Sequence, residues 1–149
     1  MDLDLIALDV EAQNSESIIR ELGQRMLAKN YVKDSYITAV LNRESKLPTG
    51  LDLGDFCVAI PHTDSEHVNK SSFAVGILKQ PVTFHSMSDP TKNLNIGLVF
   101  LLAVKDAKAQ VGLLGSLMKV FQNVELMKQI KSAKSKDEIG ELLSFIKVE

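Results

Sequence analysis

A nearly continuous apolar segment in the second half of the chain is the strongest constraint on its fold. Residues 95–104 consist mostly of Leu, Val, Ile and Phe, without the polar–apolar alternation of a strand that has one solvated face. This pattern is typical of a central strand with side chains buried on both faces. The stretch 71–79 is also rich in β-forming residues, and 82–84 extends it after a break at Gln80-Pro81. The chain therefore needs other elements to cover both faces of a sheet.

Helical periodicity on either side of these strands supplies that cover. Apolar side chains recur at helical spacing in residues 15–29, 34–45, 109–121, 124–130 and a final segment after Ser135, where Glu138 completes a capping box. Short strands at 3–8 and 56–60 add to the sheet. We predict one α/β domain over residues 1–149, with a mixed sheet of about four to five strands flanked by helices on both faces.

The composition argues against several classes of function. Charged residues make up 24% of the chain and the net charge is −2, with no basic run, so a nucleic-acid partner is not expected. The N-terminal segment is acidic and lacks the pattern of a signal peptide, and 95–104 is too short to span a bilayer. The single cysteine, Cys57, allows no disulfide within one chain and is most simply a small core residue. We therefore expect a cytoplasmic protein that is not inserted in a membrane.

The stretch 47–68 holds the residues most suggestive of chemistry. A Pro-Thr-Gly turn and a short loop lead into the strand at 56–60. Pro61 ends that strand, because it lacks an N–H group for the sheet and holds Ile60 extended. His62 follows directly, and the polar residues after it indicate an imidazole ring that faces water or a partner. Taken alone, such a histidine is most often an ordinary surface residue.

The wider pattern around His62 resembles a known family. Its members in chain order are Arg43-Glu44, Thr49-Gly50, Gly54 and Ala59-Ile60-Pro61-His62. Together these residues resemble the signature of the enzyme IIA domains of the bacterial phosphotransferase system, in the fructose–mannitol superfamily. The resemblance extends over nearly the whole chain, because the predicted strands and helices follow one another in the same order as in the family. Within that superfamily, residues 48–50 and 62–68 are most similar to galactitol-type IIA proteins.

The resemblance implies a phosphocarrier. His62 would accept a phosphoryl group from the phosphocarrier HPr, at Nε2 of its ring, and pass it to a cysteine of a IIB domain. A IIC permease would then deliver a sugar or polyol, galactitol-like, for phosphorylation. The group is carried covalently on His62, so neither a cofactor nor a metal is expected. A neutral imidazole suits this relay, because it keeps a free lone pair near neutral pH.

A cation beside His62 is the second element of such a site. By the resemblance, Arg43 lies next to the active histidine, and its planar donor fork suits phosphoryl oxygens. From its position alone, Arg43 would be a cation that stabilises a helix C-terminus. Thr49 and Thr63 are candidate hydroxyl donors or ordinary turn residues. Gly50 and Gly54 of the signature would either let backbone N–H groups come close to the phosphoryl group or simply form turns.

One position departs from the pattern of mannitol- and fructose-type relatives. Many of those relatives carry a second histidine at the start of the helix after the central strand, and this chain has Gln110 there. Glutamine can donate a hydrogen bond to a phosphoryl group but cannot carry a charge. His67 is a further stabilising candidate or a polar-loop residue without a role, and His85 is expected to be structural or exposed. The histidines match no metal motif with Asp64 and Glu66.

The sequence leaves two other functions open. Nitrogen-regulatory IIA relatives use phosphorylation of the matching histidine as a signal, so the chain would then be a regulatory binding module. The other hypothesis is a protein–protein adaptor without phosphoryl chemistry, and it predicts that substitution of His62 leaves the function unchanged. The apolar residues Leu47, Leu51, Leu53 and Phe56 would form a docking patch for HPr and IIB or belong to the core.

Overall fold

The computed structural model describes residues 1–148 and contains five strands, five α-helices and two 3₁₀ turns. The strands are β1 Ile6–Val10, β2 Gly50–Asp52, β3 Cys57–Ala59, β4 Ser72–His85 and β5 Asn93–Ala103. The helices are α1 Ser15–Ala28, α2 Tyr36–Lys46, α3 Ala107–Phe121, α4 Val124–Ser132 and α5 Lys136–Leu142. The 3₁₀ turns are Leu3–Leu5 and Ser65–His67. Within the described part of the chain, no helix has both the length and the apolar character needed to cross a membrane.

The strands form one mixed sheet in the order β1-β4-β5-β3-β2, with β5 at its centre. β5 runs antiparallel to β4 and parallel to β3, while β1 runs parallel to β4. β2 pairs with β3 in an antiparallel hairpin at one edge. This topology confirms the predicted mixed α/β fold. It also confirms that the apolar run at 95–104 is the central strand.

Each face of the sheet buries its own apolar core. On one face, α1 and α2 pack against alternate residues of β5, among them Val99 and Leu101. On the other face, α3, α4 and α5 cover the intervening residues, and Phe100 meets Phe121 of α3 edge to face with ring centroids 5.5 Å apart. Burial of each such side chain contributes roughly 1.5–3 kcal/mol. Both helical layers are therefore needed, as the sequence predicts.

The first strand and the Pro-Thr-Gly segment differ from the prediction. Leu3–Leu5 is a 3₁₀ turn rather than part of a strand, because the Asp2 carboxylate accepts the Asp4 N–H at 2.9 Å, and β1 begins only at Ile6. The predicted turn at 48–50 instead leads directly into β2. Pairing with β3 satisfies the backbone of β2. The turn comes later in the hairpin, at Gly54, whose φ is +95°.

β4 is one unbroken strand, although the Gln-Pro pair within it predicts a break. Its ladder with β5 shifts register between Ile77 and Val82, so the proline falls in an irregular stretch where no ladder N–H is required of it. The Lys131 ammonium of α4 donates to the carbonyls of Leu78 and Gly97, at 3.2 and 3.1 Å. A side chain from the helical layer thus stabilises the sheet at its irregular point.

Gly50 lies where β2 passes close to the chain after β4. A Cβ atom at this position would lie 2.6 Å from the His85 carbonyl oxygen. We expect Gly50→Ala to lower the free energy of unfolding by about 1–3 kcal/mol, measured by urea denaturation. The control is Gly112→Ala on the exposed side of α3, where no atom outside the neighbouring helix backbone lies within 4 Å of the added Cβ. That change should raise the free energy of unfolding by up to about 1 kcal/mol. A Gly50→Ala protein as stable as the wild type would contradict the close contact.

Candidate functional site

His62 lies at the edge of the sheet where β3 and β5 end. The Pro61 carbonyl accepts the Leu102 N–H of β5 at 3.0 Å, which holds the segment that follows β3. The His62 ring is half-buried, and its Nδ1 lies 2.8 Å from the Ile60 carbonyl oxygen. Because a carbonyl can only accept a hydrogen bond, Nδ1 holds the proton and Nε2 keeps a free lone pair. Nε2 is therefore the ring nitrogen whose lone pair is free to react.

The surroundings of His62 favour its neutral form. Burial lowers the pKa of His62 from its usual 6.5, and the nearby Arg43 guanidinium lowers it further. The hydrogen bond to Ile60 and the carboxylate of Asp64 act in the opposite direction without reversing the shift. At neutral pH the ring is therefore mainly uncharged, which is the state in which Nε2 can attack an electrophile.

Arg43 lies in the last turn of α2 and lines two cavities that His62 also lines. One cavity of about 250 Å³ includes Leu47 and Met87, and the other, of about 320 Å³, extends toward α3. Nε of Arg43 is buried and finds no hydrogen-bond partner among residues 1–148. A buried donor without an acceptor costs about 1–3 kcal/mol, and more for a charged group. Arg43 therefore has a donor that no group among residues 1–148 satisfies, and its side chain lines both cavities at His62.

The cavity that extends toward α3 brings two further sequence candidates close to His62. Thr63 follows His62 directly, and Gln110 projects from the beginning of α3. The helix begins there because the Asp106 side chain accepts the Ala109 N–H at 2.8 Å. Both candidate side chains carry donors that an anion can accept. The structure therefore gathers His62, Arg43, Thr63 and Gln110 around one cavity.

Thr49 lies beside His62, but its polar groups are already bound. It is 2% exposed. Its hydroxyl donates to Oε1 of Glu44 at 2.7 Å, and its N–H donates to Oε2 of the same carboxylate at 2.9 Å. The Thr49 hydroxyl proton is thus bound within the protein and is not free for an anion at His62. The contacts give Thr49 a structural role. Sequence reasoning assigns no role to Glu44, although the Arg-Glu pair of the signature contains it.

The other two histidines lie outside the two cavities that His62 lines. His67 belongs to the second 3₁₀ turn, and its Nδ1 lies 2.7 Å from the Ser35 hydroxyl at the start of α2. It lines a neighbouring cavity of about 560 Å³ that includes Arg43 but not His62. His85 is exposed at the end of β4, in agreement with its expected place. His67 is therefore hydrogen-bonded to the beginning of α2, the helix that carries Arg43.

The Cys57 thiol and the possible metal ligands of residues 1–148 were the other candidates for chemistry. Cys57 is partly buried in the hairpin, and burial raises the pKa of its thiol, with the Asp52 carboxylate adding to the effect. Such a thiol is a poor nucleophile at neutral pH. Across residues 1–148, no three His, Cys, Asp or Glu side chains are grouped so as to hold a metal ion.

An exposed apolar pair flanks the cavity between Arg43 and His62. Leu47 is 56% exposed and Met87 is 44% exposed. The other three apolar residues named from the sequence, Leu51, Leu53 and Phe56, are partly buried and pack against the core on the α3 face. Of that set, only Leu47 is a surface residue. Met87, from the loop after β4, takes a place beside it that the sequence does not indicate.

The pKa of His62 is open to direct measurement. We expect its NMR titration midpoint to lie below about 6.5, the value for an unperturbed histidine. Arg43→Gln should raise the midpoint, because it removes the guanidinium charge that helps to lower the pKa of His62. The unfolded chain takes up the proton first as the pH falls, so the free energy of unfolding should decrease from pH near 6.5 down through the folded-state pKa. A wild-type midpoint at or above the unperturbed value would contradict the burial of the ring.

Comparison with known proteins places this geometry in a family. The model of the phosphoenolpyruvate-dependent sugar phosphotransferase system, EIIA 2, matches residues 1–145. The galactitol-specific EIIA component of Escherichia coli (strain K12) is 29% identical over 114 residues, which are 76% of this chain and 75% of the relative.

Solved structures agree with this assignment. Enzyme IIA(Mtl) of Escherichia coli, in a complex with phosphorylated enzyme IIB(Mtl), is 26% identical with a TM-score of 0.79 and 97% of each chain covered. The nitrogen regulatory protein IIA-Ntr of Neisseria meningitidis shares the fold, with 24% identity, a TM-score of 0.73 and coverage of 95% of this chain and 94% of that one. Because the family match extends over residues 1–145, this chain belongs to the EIIA 2 family of the phosphoenolpyruvate-dependent sugar phosphotransferase system and is a phosphotransferase.

Proposed function

We propose that residues 1–149 form one EIIA phosphocarrier domain that accepts a phosphoryl group on Nε2 of His62 from phospho-HPr. The domain then passes the group to a cysteine of a IIB domain, which serves a IIC permease. The observation that carries this proposal is the pairing at one cavity of a neutral imidazole and an arginine with an unpartnered buried Nε. The group is held covalently, so the transfer needs no cofactor.

The first transfer follows from the ring geometry. The Nε2 lone pair of His62 attacks phosphorus as the bond from phosphorus to the donor atom breaks, and that electron pair stays with the donor. Throughout, Nδ1 keeps its proton and donates it in a hydrogen bond to the Ile60 carbonyl oxygen, which lies 2.8 Å from Nδ1 in this structure. The ring therefore changes neither tautomer nor orientation during the step. In the second transfer a thiolate attacks phosphorus, and the electron pair of the nitrogen–phosphorus bond returns to Nε2.

Charge stabilisation of the moving group falls mainly to Arg43. Phosphoryl transfer depends on positioning and on neutralising the charge that spreads over the phosphoryl oxygens. The Arg43 fork can bind two of those oxygens, and Thr63 and Gln110 can each donate one further hydrogen bond. Because Gln110 is neutral, Arg43 is the fixed cation of this arrangement.

The surface around the cavity supports a protein as phosphoryl donor and acceptor. Leu47 and Met87 are exposed apolar side chains at the rim of the cavity between Arg43 and His62. Methionine and arginine side chains are enriched in protein interfaces relative to the rest of the surface. The solved complex of enzyme IIA(Mtl) with phosphorylated IIB(Mtl) supports a IIB domain as acceptor.

The transported compound is proposed from the relatives. The galactitol-specific EIIA component at 29% identity supports a sugar or polyol of the galactitol kind. A phosphocarrier that meets HPr and the inner side of a permease acts in the cytoplasm, and we propose that location. The shared fold of the nitrogen regulatory protein leaves a signalling role as the alternative.

Phosphoryl gain by the protein tests the proposal directly. After incubation with enzyme I, HPr and phosphoenolpyruvate at neutral to alkaline pH, intact-mass spectrometry should show one added, acid-labile phosphoryl group. His62→Ala should show none, because it lacks the nucleophile, whereas the exposed His85→Ala should match the wild type. Uptake of the group by His62→Ala would overturn the assignment. Uptake by the wild type without transfer to a galactitol-type IIB domain would favour the signalling role.

The role of Arg43 is tested by the rate of the same reaction. Arg43→Gln should slow phosphoryl gain from phospho-HPr by about 10²-fold, the effect typical of losing one preorganised donor to a developing charge. Arg43→Lys keeps the charge but loses the planar fork, so its rate should lie between those of the wild type and Arg43→Gln. Rapid-quench measurements of initial rates give both numbers. An unchanged rate in Arg43→Gln would show that the guanidinium does not bind the phosphoryl group.

A further inference from the structure

A continuous path of hydrogen bonds joins Glu44 to the imidazole of His62. The Glu44 carboxylate accepts the N–H and the hydroxyl of Thr49, at 2.9 and 2.7 Å, and we call this pair of bonds the Glu44–Thr49 clamp. The Thr49 carbonyl accepts the Ile60 N–H at 3.3 Å. The Ile60 carbonyl in turn accepts the Nδ1 proton of His62 at 2.8 Å. The end of α2, the start of β2 and the ring are therefore linked in series.

The position of Glu44 in α2 ties this path to Arg43. The two residues are neighbours near the end of the helix, but Arg43 lines the cavities at His62 whereas Glu44 binds Thr49. The Leu47 N–H closes the helix on the Arg43 carbonyl at 2.7 Å. The end of α2 therefore positions Arg43 directly. It also contacts His62 indirectly, through the hydrogen bonds of Thr49 and Ile60.

The clamp is shielded from water on the Thr49 side. Because Thr49 is 2% exposed, its N–H and hydroxyl need acceptors within the protein. Glu44 is itself partly buried, and burial raises the pKa of its carboxyl while the two Thr49 donors lower it. Hydrogen bonds to an ionised carboxylate are stronger than bonds between neutral groups. Loss of a clamp bond would let the Thr49 carbonyl, and with it Ile60, shift relative to α2.

We propose that Glu44 is a positioning residue, which through Thr49 and Ile60 holds the His62 ring with its proton on Nδ1 and its Nε2 free beside Arg43. Glu44 lines neither of the cavities at His62, so it acts through other residues. The effect of Glu44 on transfer rate rests on the proposed function. Its effect on the ring does not, because the tautomer of His62 can be observed without any partner protein.

Two matched pairs of substitutions test this role. Thr49→Val removes the hydroxyl at nearly constant shape, and Thr49→Ser keeps both donors. Glu44→Ala removes both acceptors, whereas in Glu44→Gln the amide oxygen can accept the Thr49 N–H and the amide nitrogen can donate to the Thr49 hydroxyl oxygen. ¹⁵N NMR of the His62 ring, recorded above its pKa, reports which nitrogen carries the proton. Circular dichroism establishes which variants fold.

The ring signals decide the outcome. We expect the Nδ1–H form in the wild type, Thr49→Ser and Glu44→Gln, and a mixture of both tautomers in Thr49→Val and Glu44→Ala. The rate of phosphoryl gain from phospho-HPr should fall about tenfold in the latter two, as for the loss of a group that orients a reacting residue.

The proposal is overturned if the folded variants Thr49→Val and Glu44→Ala keep the wild-type ring signals, since the clamp would then only stabilise the fold. If the wild type gains no phosphoryl group from phospho-HPr, the proposed function fails by itself. In that case the ring signals of the same four variants still support or overturn the positioning role.

Discussion

Burial of the central strand β5 on both faces is the constraint on which the rest of the structure depends. Its side chains alternate between two cores, so two helical layers are required, α1 with α2 on one face and α3 to α5 on the other. β3 runs parallel to β5, and the bond between the Pro61 carbonyl and the Leu102 N–H ties the segment after β3 to the central strand. Ligand sites of α/β sheets form at such ends of parallel strands. The position of His62 is thus a consequence of how the core is buried.

The two helical layers also meet at this edge of the sheet. α2, from one layer, brings Arg43 to His62, and α3, from the other, brings Gln110 to the same cavity. Neither helix contributes its core-facing residues to the site. The packing that stabilises the fold therefore sets the distance across which the polar groups face each other.

Burial has two effects on the chemistry of the site. It lowers the pKa of His62, so that the ring is mainly neutral near pH 7, the state that the proposed transfer requires. It also weakens the screening of the Arg43 charge, so that attraction to a phosphoryl group is stronger than it would be in water. The Arg43 guanidinium disfavours a second cation on His62, and in the proposed transfer it would also stabilise the negative charge of the phosphoryl group. A single arginine can therefore serve both stages where Gln110 supplies no charge.

Local patterns in the sequence determine the elements and much of the site. Periodic burial predicts the helices and the central strand, because each side chain repeats its environment along one element. The proline before His62 predicts the end of β3, and the family signature adds Arg43 as a candidate. Gln110 becomes a candidate because it stands where many mannitol- and fructose-type relatives carry a second histidine. Tertiary structure alone decided the pairing of β2 with β3, the unbroken course of β4, and the contacts of Glu44 with Thr49 and of Met87 with the cavity. These features depend on partners that come from other elements, and a residue's own neighbours in sequence do not specify which donor or acceptor folding brings to it.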